Sequence, residues 1–154
     1  MKNVNRKLVI EQLDRKFDTM SALRNLEPPS RGWIHAIRTA MHMSLAQLAK
    51  RLKKTSASVS EIENRERSKN ITLKKLAEVG EALDLQLVYG FIPKTSSLEA
   101  IIEQRAKQIA RDIVMRTSQS MKLEEQENSE ARLQKAINDR ARQIQMEMPK
   151  YLWD

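Results

Sequence analysis

The sequence predicts a mainly α-helical protein, a small bundle with one short β-strand and a helical extension at each end. Three observations carry that expectation. The 154 residues include only 3 Gly, 4 Pro and 4% aromatics, which disfavours the turn-rich pattern of an all-β chain. Apolar residues recur three and four apart over most of the length, the spacing of one buried helical face. A single stretch, 85–92, instead gathers β-branched and aromatic side chains. The boundaries follow as 1–28 for the N-terminal helix, 29–94 for the central bundle with its strand, and 95–154 for a C-terminal helical region.

Residues 4–26 place Leu13, Phe17, Met20, Leu23 and Leu26 at helical spacing, with Leu8 and Val9 a turn earlier. This predicts an amphipathic helix that ends at Pro28-Pro29-Ser30. Its mixed charge suits packing on the bundle or a second subunit better than a DNA-binding arm. After the prolines, Trp33 or Ile34 with Ile37 and Met41 form one face of a second helix, and Trp33 is expected in the core. Arg31 and Arg38 fall on the other side, where Arg38 is a candidate phosphate contact. Ser44 is placed to cap the next helix.

The stretch Leu45–Asn64, LAQLAKRLKKTSASVSEIEN, organises the chain. Leu45, Leu48, Ala49 and Leu52 make one buried face, and Val59 with Ile62 make a second. Between them lies Lys53-Lys54-Thr55-Ser56. Two short helices joined by a tight turn, with small Ala49 at their crossing and hydroxyl residues opening the second, describe a helix-turn-helix. Burial of Val59 and Ile62 fixes the roll of the second helix, so Ser56, Ala57, Ser60, Glu61 and Asn64 face outward with Ser58 beside them. These six are the candidate base-contacting residues. Lys50, Arg51, Lys53, Lys54, Arg65, Arg67 and Lys69 are the candidate phosphate contacts, together with Thr55, which also caps the second helix.

Thr72 caps a following helix with the stripe Leu73, Leu76, Val79 and Leu83, a further wall for the core. Leu85–Ile92 reads as a strand stopped by Pro93. A lone strand needs a partner. Pairing with the same strand of a second molecule about a two-fold axis would supply one, with Leu85, Leu87, Val88, Tyr89 and Phe91 as dimer-strand residues. Beyond it, Leu98, Ile101, Ile102, Ala106, Ile109 and Ile113 form one helical stripe. Met121 to Met148, through Leu123, Leu133, Ile137, Ala141 and Ile144, forms another. The break is expected at Thr117–Ser120. Pro149 ends the last helix, and the Tyr151-Leu152-Trp153 tail is expected to dock.

Charge is unevenly spread. The net +8 divides into +2 for 1–28, +6 for 29–94 and zero for 95–154. The excess therefore sits on the helix-turn-helix, as a phosphate-binding surface requires. No apolar run approaches the ~20 residues of a membrane span. The charged N-terminus lacks the apolar core of a signal peptide, so a cytoplasmic protein is expected, with no membrane partner. With no cysteine, disulfides and thiolate metal sites are excluded. His35 and His42, seven apart and with no acidic neighbour in sequence, make neither a metal site nor a catalytic pair. Three glycines cannot build a phosphate-cradling loop. A binding protein without cofactor is expected, and not an enzyme. Glu61, Glu63 and Glu66 cluster on the second motif helix, where a carboxylate can accept from a cytosine amino group or orient an arginine.

Residues 31–92 resemble the Xre-type helix-turn-helix domain of Cro and repressor proteins in the MSLAQLAKRL and TSASVSEIEN units and the ITLKKLAEVGEALDLQLV that follows. RGWIHAIRTAMHMS, the LAKRL and VSEIE cores, ITLKKLAEVGEALDLQLVYGFIPK and the terminal LWD resemble the family called mobile mystery protein A, over nearly the whole chain. Members are small regulators encoded beside a Fic-domain protein in an arrangement similar to a toxin–antitoxin pair. The resemblance implies an operon repressor that also binds its Fic-domain partner, an antitoxin-like autoregulator of a Fic-domain toxin operon. Three positions depart from the motif: Lys53 stands at the usual turn glycine, Lys54 at the following apolar position, and Leu45 where a phosphate-touching glutamine commonly opens the first motif helix. The Ser/Thr-x-x-x-Glu-Gly/Asn motif of Fic antitoxins is not matched, because Val59 and Leu123 stand four before the glutamates of Glu63-Asn64 and Glu127-Asn128.

The sequence thus predicts a sequence-specific, homodimeric DNA-binding repressor on a palindromic operator. The alternative is a protein–protein adaptor or antitoxin whose helix-turn-helix is only structural.

Overall fold

The computed structural model describes residues 2–121 and 129–154. Among them it contains seven α-helices: α1 (Lys2–Thr19), α2 (Trp33–Ala40), α3 (Leu45–Leu52), α4 (Ser56–Arg67), α5 (Leu73–Ala82), α6 (Leu98–Met121) and α7 (Ser129–Glu147). Short 3-10 turns cover Ser21–Leu23 and Lys150–Trp153. The chain divides into two compact units, one of residues 25–90 and one that joins 1–24 to 91–154.

The unit of residues 25–90 holds α2 to α5. Ile34, Leu48, Ala49, Val59, Ile62, Val79 and Leu83 are its buried apolar core, with Leu45, Leu52 and Leu76 packed against them. Each helix start is satisfied by a side-chain acceptor, as unpaired first-turn N–H groups require. Ser44 and Gln47 form a reciprocal capping box at α3, Gln47 N–H donating to Ser44 Oγ at 3.1 Å and Ser44 N–H to Gln47 Oε1 at 2.8 Å. Thr55 Oγ1 accepts from Ser58 N–H and Thr72 Oγ1 from Lys75 N–H, both at 3.1 Å. These are the caps that the sequence predicts.

Helix ends show a device hidden in the composition. His42, Lys53, Lys69 and Asp84 adopt left-handed backbone with φ of 54–61°. In each case the next residue's N–H returns to the carbonyl five positions earlier in the residue order: Met43 to Arg38, Lys54 to Ala49, Asn70 to Arg65 and Leu85 to Gly80. This is the helix-ending bond of a Schellman motif, built four times without the usual glycine. The one left-handed glycine is Gly32, at φ 91°, where an added Cβ would stand 2.9 Å from Glu66 Cδ.

In the other unit α6 and α7 pack through Ile102, Ala106 and Ala110 on one side and Ile137, Ala141 and Ile144 on the other. Small alanines at the contact let the helix axes approach closely. Helix α1 packs on α6, with Ile10 against this core. Asp14 of α1 accepts from Leu98 N–H at 2.6 Å and Glu99 N–H at 3.2 Å, so one helix caps another. The N-terminal helix, expected to pack on the bundle or a second subunit, thus packs on the C-terminal helix α6.

Several expectations are corrected. No strand occurs among the described residues: Leu85–Ile92 has no hydrogen-bonded ladder, because the described residues offer it no second edge. Helix α6 continues through Thr117–Met121, so the break is not at Thr117–Ser120. Polar residues with adequate helix propensity do not end a helix by themselves. Leu123, Glu127 and Asn128 lie outside the described residues. Trp33 is 43% exposed and Ile34 occupies the core position instead. In the tail, Leu152 is fully buried while Tyr151 and Trp153 stay partly exposed. Arg105 holds this tail, its Nε donating to the Leu152 carbonyl at 2.7 Å.

Candidate nucleic-acid interface

Helix α4 is held from behind by Glu63 and Glu66, two of the three carboxylates expected to meet a cytosine amino group or an arginine; both turn into the domain, and Glu63 does orient an arginine, Arg38. Glu63 is buried and accepts from Arg38 Nε at 2.5 Å, with its other oxygen 3.2 Å from His35 Nδ1. Arg38 completes its fork at the Met43 carbonyl, 2.8 Å away. Burial alone would raise the Glu63 pKa, but the hydrogen bonds and charge of Arg38 and the bond to His35 hold its carboxyl below the ordinary carboxylate value. Glu66 accepts from Trp33 N–H at 2.6 Å and Ile34 N–H at 3.0 Å. It caps α2, whose own N-cap, Gly32, has no side chain.

Arg38, expected at a phosphate, is therefore spent inside the domain, 8% exposed and paired with Glu63. His35 does have an acidic neighbour, Glu63, supplied by tertiary packing rather than by sequence. Both corrections have one cause. The roll that buries Val59 and Ile62 also turns Glu63, adjacent to Ile62, toward α2.

The opposite face of α4 is open. Ser56, Ala57, Glu61 and Asn64 are exposed, and Ser58 and Ser60 are half-buried. Glu61 is not free: Arg65 Nη2 donates to its Oε1 at 2.6 Å, one helical turn on. Such an exposed pair contributes little stability, about 0.5 kcal/mol, but it fixes both side chains on the same stripe. Lys50 and Arg51 are exposed on α3, Lys53 is exposed in the turn with Lys54 half-buried, and Arg67 and Lys69 are exposed at the end of α4. Arg51 Nη1 also reaches the Ala82 carbonyl at 3.3 Å, tying α3 to the C-terminal end of α5, where a cation is favoured.

The turn keeps its left-handed corner with lysine in place of glycine, Lys53 lying at φ 54°, ψ 44°. Leu45, at the position of the usual glutamine, packs against the core. Beside α4 runs a cleft of about 460 Å³ lined by Lys54, Ser58, Glu61, Arg65, Lys69, Thr72 and Lys75, among others. Four cations face one carboxylate across it, at the capped start of α5. Lys75 was missed by the sequence reading, because only the packing of α5 beside α4 brings it to this surface. The Glu78 carboxylate, 3.0 Å from its Nζ, raises the Lys75 pKa, and Lys75 in turn lowers that of Glu78.

Residues 34–89 match the family model HTH_3, described as helix-turn-helix. No curated protein and no solved structure matches the chain. This part of the chain is thus an Xre-type helix-turn-helix domain, which supports a DNA-binding transcription regulator. The pattern inferred from Leu45–Asn64 and the matched family agree. Among the described residues no three His, Cys, Asp or Glu side chains could share a metal ion, and no helix is long and apolar enough to cross a membrane.

Proposed function

We propose that the chain is a sequence-specific transcriptional repressor that binds a palindromic operator as a homodimer. One observation carries this reading: α4 buries Val59, Ile62 and Glu63 and leaves a short-chained polar face outward, flanked by exposed cations on α3, the turn and the α4 end. Short Ser56 and Ala57 allow the helix start to enter a major groove closely, and Glu61 with Asn64 offer an acceptor and an amide to base edges. Lys50, Arg51, Lys53, Lys54, Arg65, Arg67 and Lys69 fit the phosphates on either side, with Lys75 as an addition. Two copies would present two such helices to half-sites one helical turn apart.

The resemblance to the family encoded beside Fic-domain proteins extends the proposal to an antitoxin-like autoregulator that also engages a Fic-domain protein. The basic excess on 29–94 favours DNA as the ligand of the helix-turn-helix over a purely structural role for it.

A gel shift with DNA from upstream of the chain's own gene, at two salt concentrations against a scrambled competitor, tests the reading. Retained preference for the upstream DNA as overall affinity falls with salt is expected. Equal competition by scrambled DNA overturns it.

A further inference from the structure

We infer that the cleft beside α4 is a site for a compact free polyphosphate, and that a ligand seated there excludes DNA from the same face. The cleft lies wholly within the unit of residues 25–90. Binding of the ligand is argued from the cleft itself, while its effect on DNA rests on the repressor reading above.

Charge selects the chemistry of the ligand. Lys54, Arg65, Lys69 and Lys75 line the cleft against a single carboxylate, Glu61. Arg65 already covers that carboxylate at 2.6 Å, and Lys75 pairs with Glu78 at 3.0 Å. Lys75 holds the Glu78 carboxyl below its ordinary range, and the charges of Lys54 and Lys74 act on it in the same direction. One carboxylate thus answers several ammonium groups. Lys54 and Lys69 have no ion pair of their own among the described residues. Like charges gathered round one recess repel each other, and a ligand with several closely spaced negative charges relieves all of them together.

The backbone adds donors at the same place. Thr72, on the wall of the cleft, opens α5, and its Oγ1 accepts from the Lys75 N–H alone. The Leu73 and Lys74 N–H groups have no acceptor among the described residues. First-turn N–H groups and the positive end of a helix complement phosphate oxygens.

Shape separates a free ligand from the operator backbone, which carries the same phosphate chemistry. The volume of about 460 Å³ falls within the ~300–1,000 Å³ of small-molecule sites. Ile62 and Ile71 form its apolar lining, and none of its described lining residues is aromatic. Nothing there stacks on a nucleobase, so the recess fits a phosphate chain. Walls from α4 and from the start of α5 surround a compact chain on more sides than they can surround a duplex, which is too wide to enter. Lys54, Arg65, Lys69 and Lys75 are also the cations proposed to hold operator phosphates. A bound polyphosphate therefore removes the charges that DNA needs, and the two ligands weaken each other reciprocally.

Inorganic tripolyphosphate is the probe. It is titrated calorimetrically, at fixed ionic strength and without divalent cations, into the full wild-type chain and into Lys54→Gln, Lys75→Gln and Arg31→Gln. Arg31 is an exposed cation of the same unit that does not line the cleft. One tripolyphosphate per chain is expected, with affinity about tenfold weaker in Lys54→Gln and in Lys75→Gln and unchanged in Arg31→Gln. In a parallel anisotropy assay on upstream DNA, tripolyphosphate should release the DNA at concentrations where sodium chloride of equal ionic strength does not. Absence of saturable binding, equal loss in all three variants, no loss in the two cleft variants, or DNA release no greater than that by matched salt overturns the inference. If the wild type still prefers upstream over scrambled DNA in that event, the repressor reading stands and the cleft serves operator phosphates only.

Discussion

Glu63 is the residue on which the back of the recognition helix depends. Its carboxylate is buried against Arg38 and His35, and removing one member of such a pair leaves the other charge buried without a partner. Glu63→Gln should cost about 3 kcal/mol in chemical denaturation. The pH dependence has a fixed sign: the folded pKa lies below the ordinary 4.5, so the pair's stabilisation is complete above pH 4.5 and is lost as pH falls through the lowered value. The Glu63→Gln variant should lack that component of acid sensitivity. Gly32 carries a second constraint, since φ 91° and ψ 164° with Glu66 close by suit glycine alone. Gly32→Ala should destabilise by about 2 kcal/mol, read as a lowered thermal midpoint. Lys53 gives the opposite sign. Its left-handed backbone strains a lysine, so Lys53→Gly should raise stability by about 0.5–1 kcal/mol. Residue roles were legible where the partner is local: Ser44, Thr55 and Thr72 each cap a helix three residues on. They were not legible where the partner is remote. Glu63 meets His35 across 28 positions and Asp14 meets Leu98 across 84, and no local spacing encodes either contact.

At the scale of elements, the roll of α4 follows from two buried residues, and the rest of the candidate site follows from the roll. Periodicity identified α2 to α5 and their shared core because each has an apolar stripe that only packing can satisfy. Two features escaped it. The 85–92 stretch has strand composition, yet a strand exists only with a neighbour, so composition could not decide its state within one chain. The continuation of α6 past Thr117 depends on helix propagation from the turns before it, which local composition does not report. The two faces of α4 make separable predictions for DNA. Glu61→Ala and Ser60→Ala should each relax operator preference by ~1–3 kcal/mol, measured by competition between operator and base-substituted sites. Lys69→Ala should instead weaken all sequences alike and lower the salt slope by about one.

Over the whole molecule, each unit has its own core. The helix-turn-helix lies in the unit of residues 25–90, within the stretch 29–94 that carries the +6 excess, while the α1, α6 and α7 unit has its own Ile/Ala core. The concentration of positive charge was readable because it needs only a count along the chain. The joining of the first 24 residues to the last 64 was not, since it rests on Asp14 and Ile10 reaching α6 and its core. The central claim is that α4 reads bases while the surrounding cations hold phosphates. It is tested most directly by fluorescence-anisotropy titrations of wild-type, Glu61→Ala and Lys69→Ala chains on upstream operator and scrambled DNA, over a range of salt. The account predicts that Glu61→Ala narrows the operator-to-scrambled ratio at an unchanged salt slope. Lys69→Ala should keep the ratio and flatten the slope. Identical behaviour of both variants, or a ratio near unity for the wild type, would contradict it.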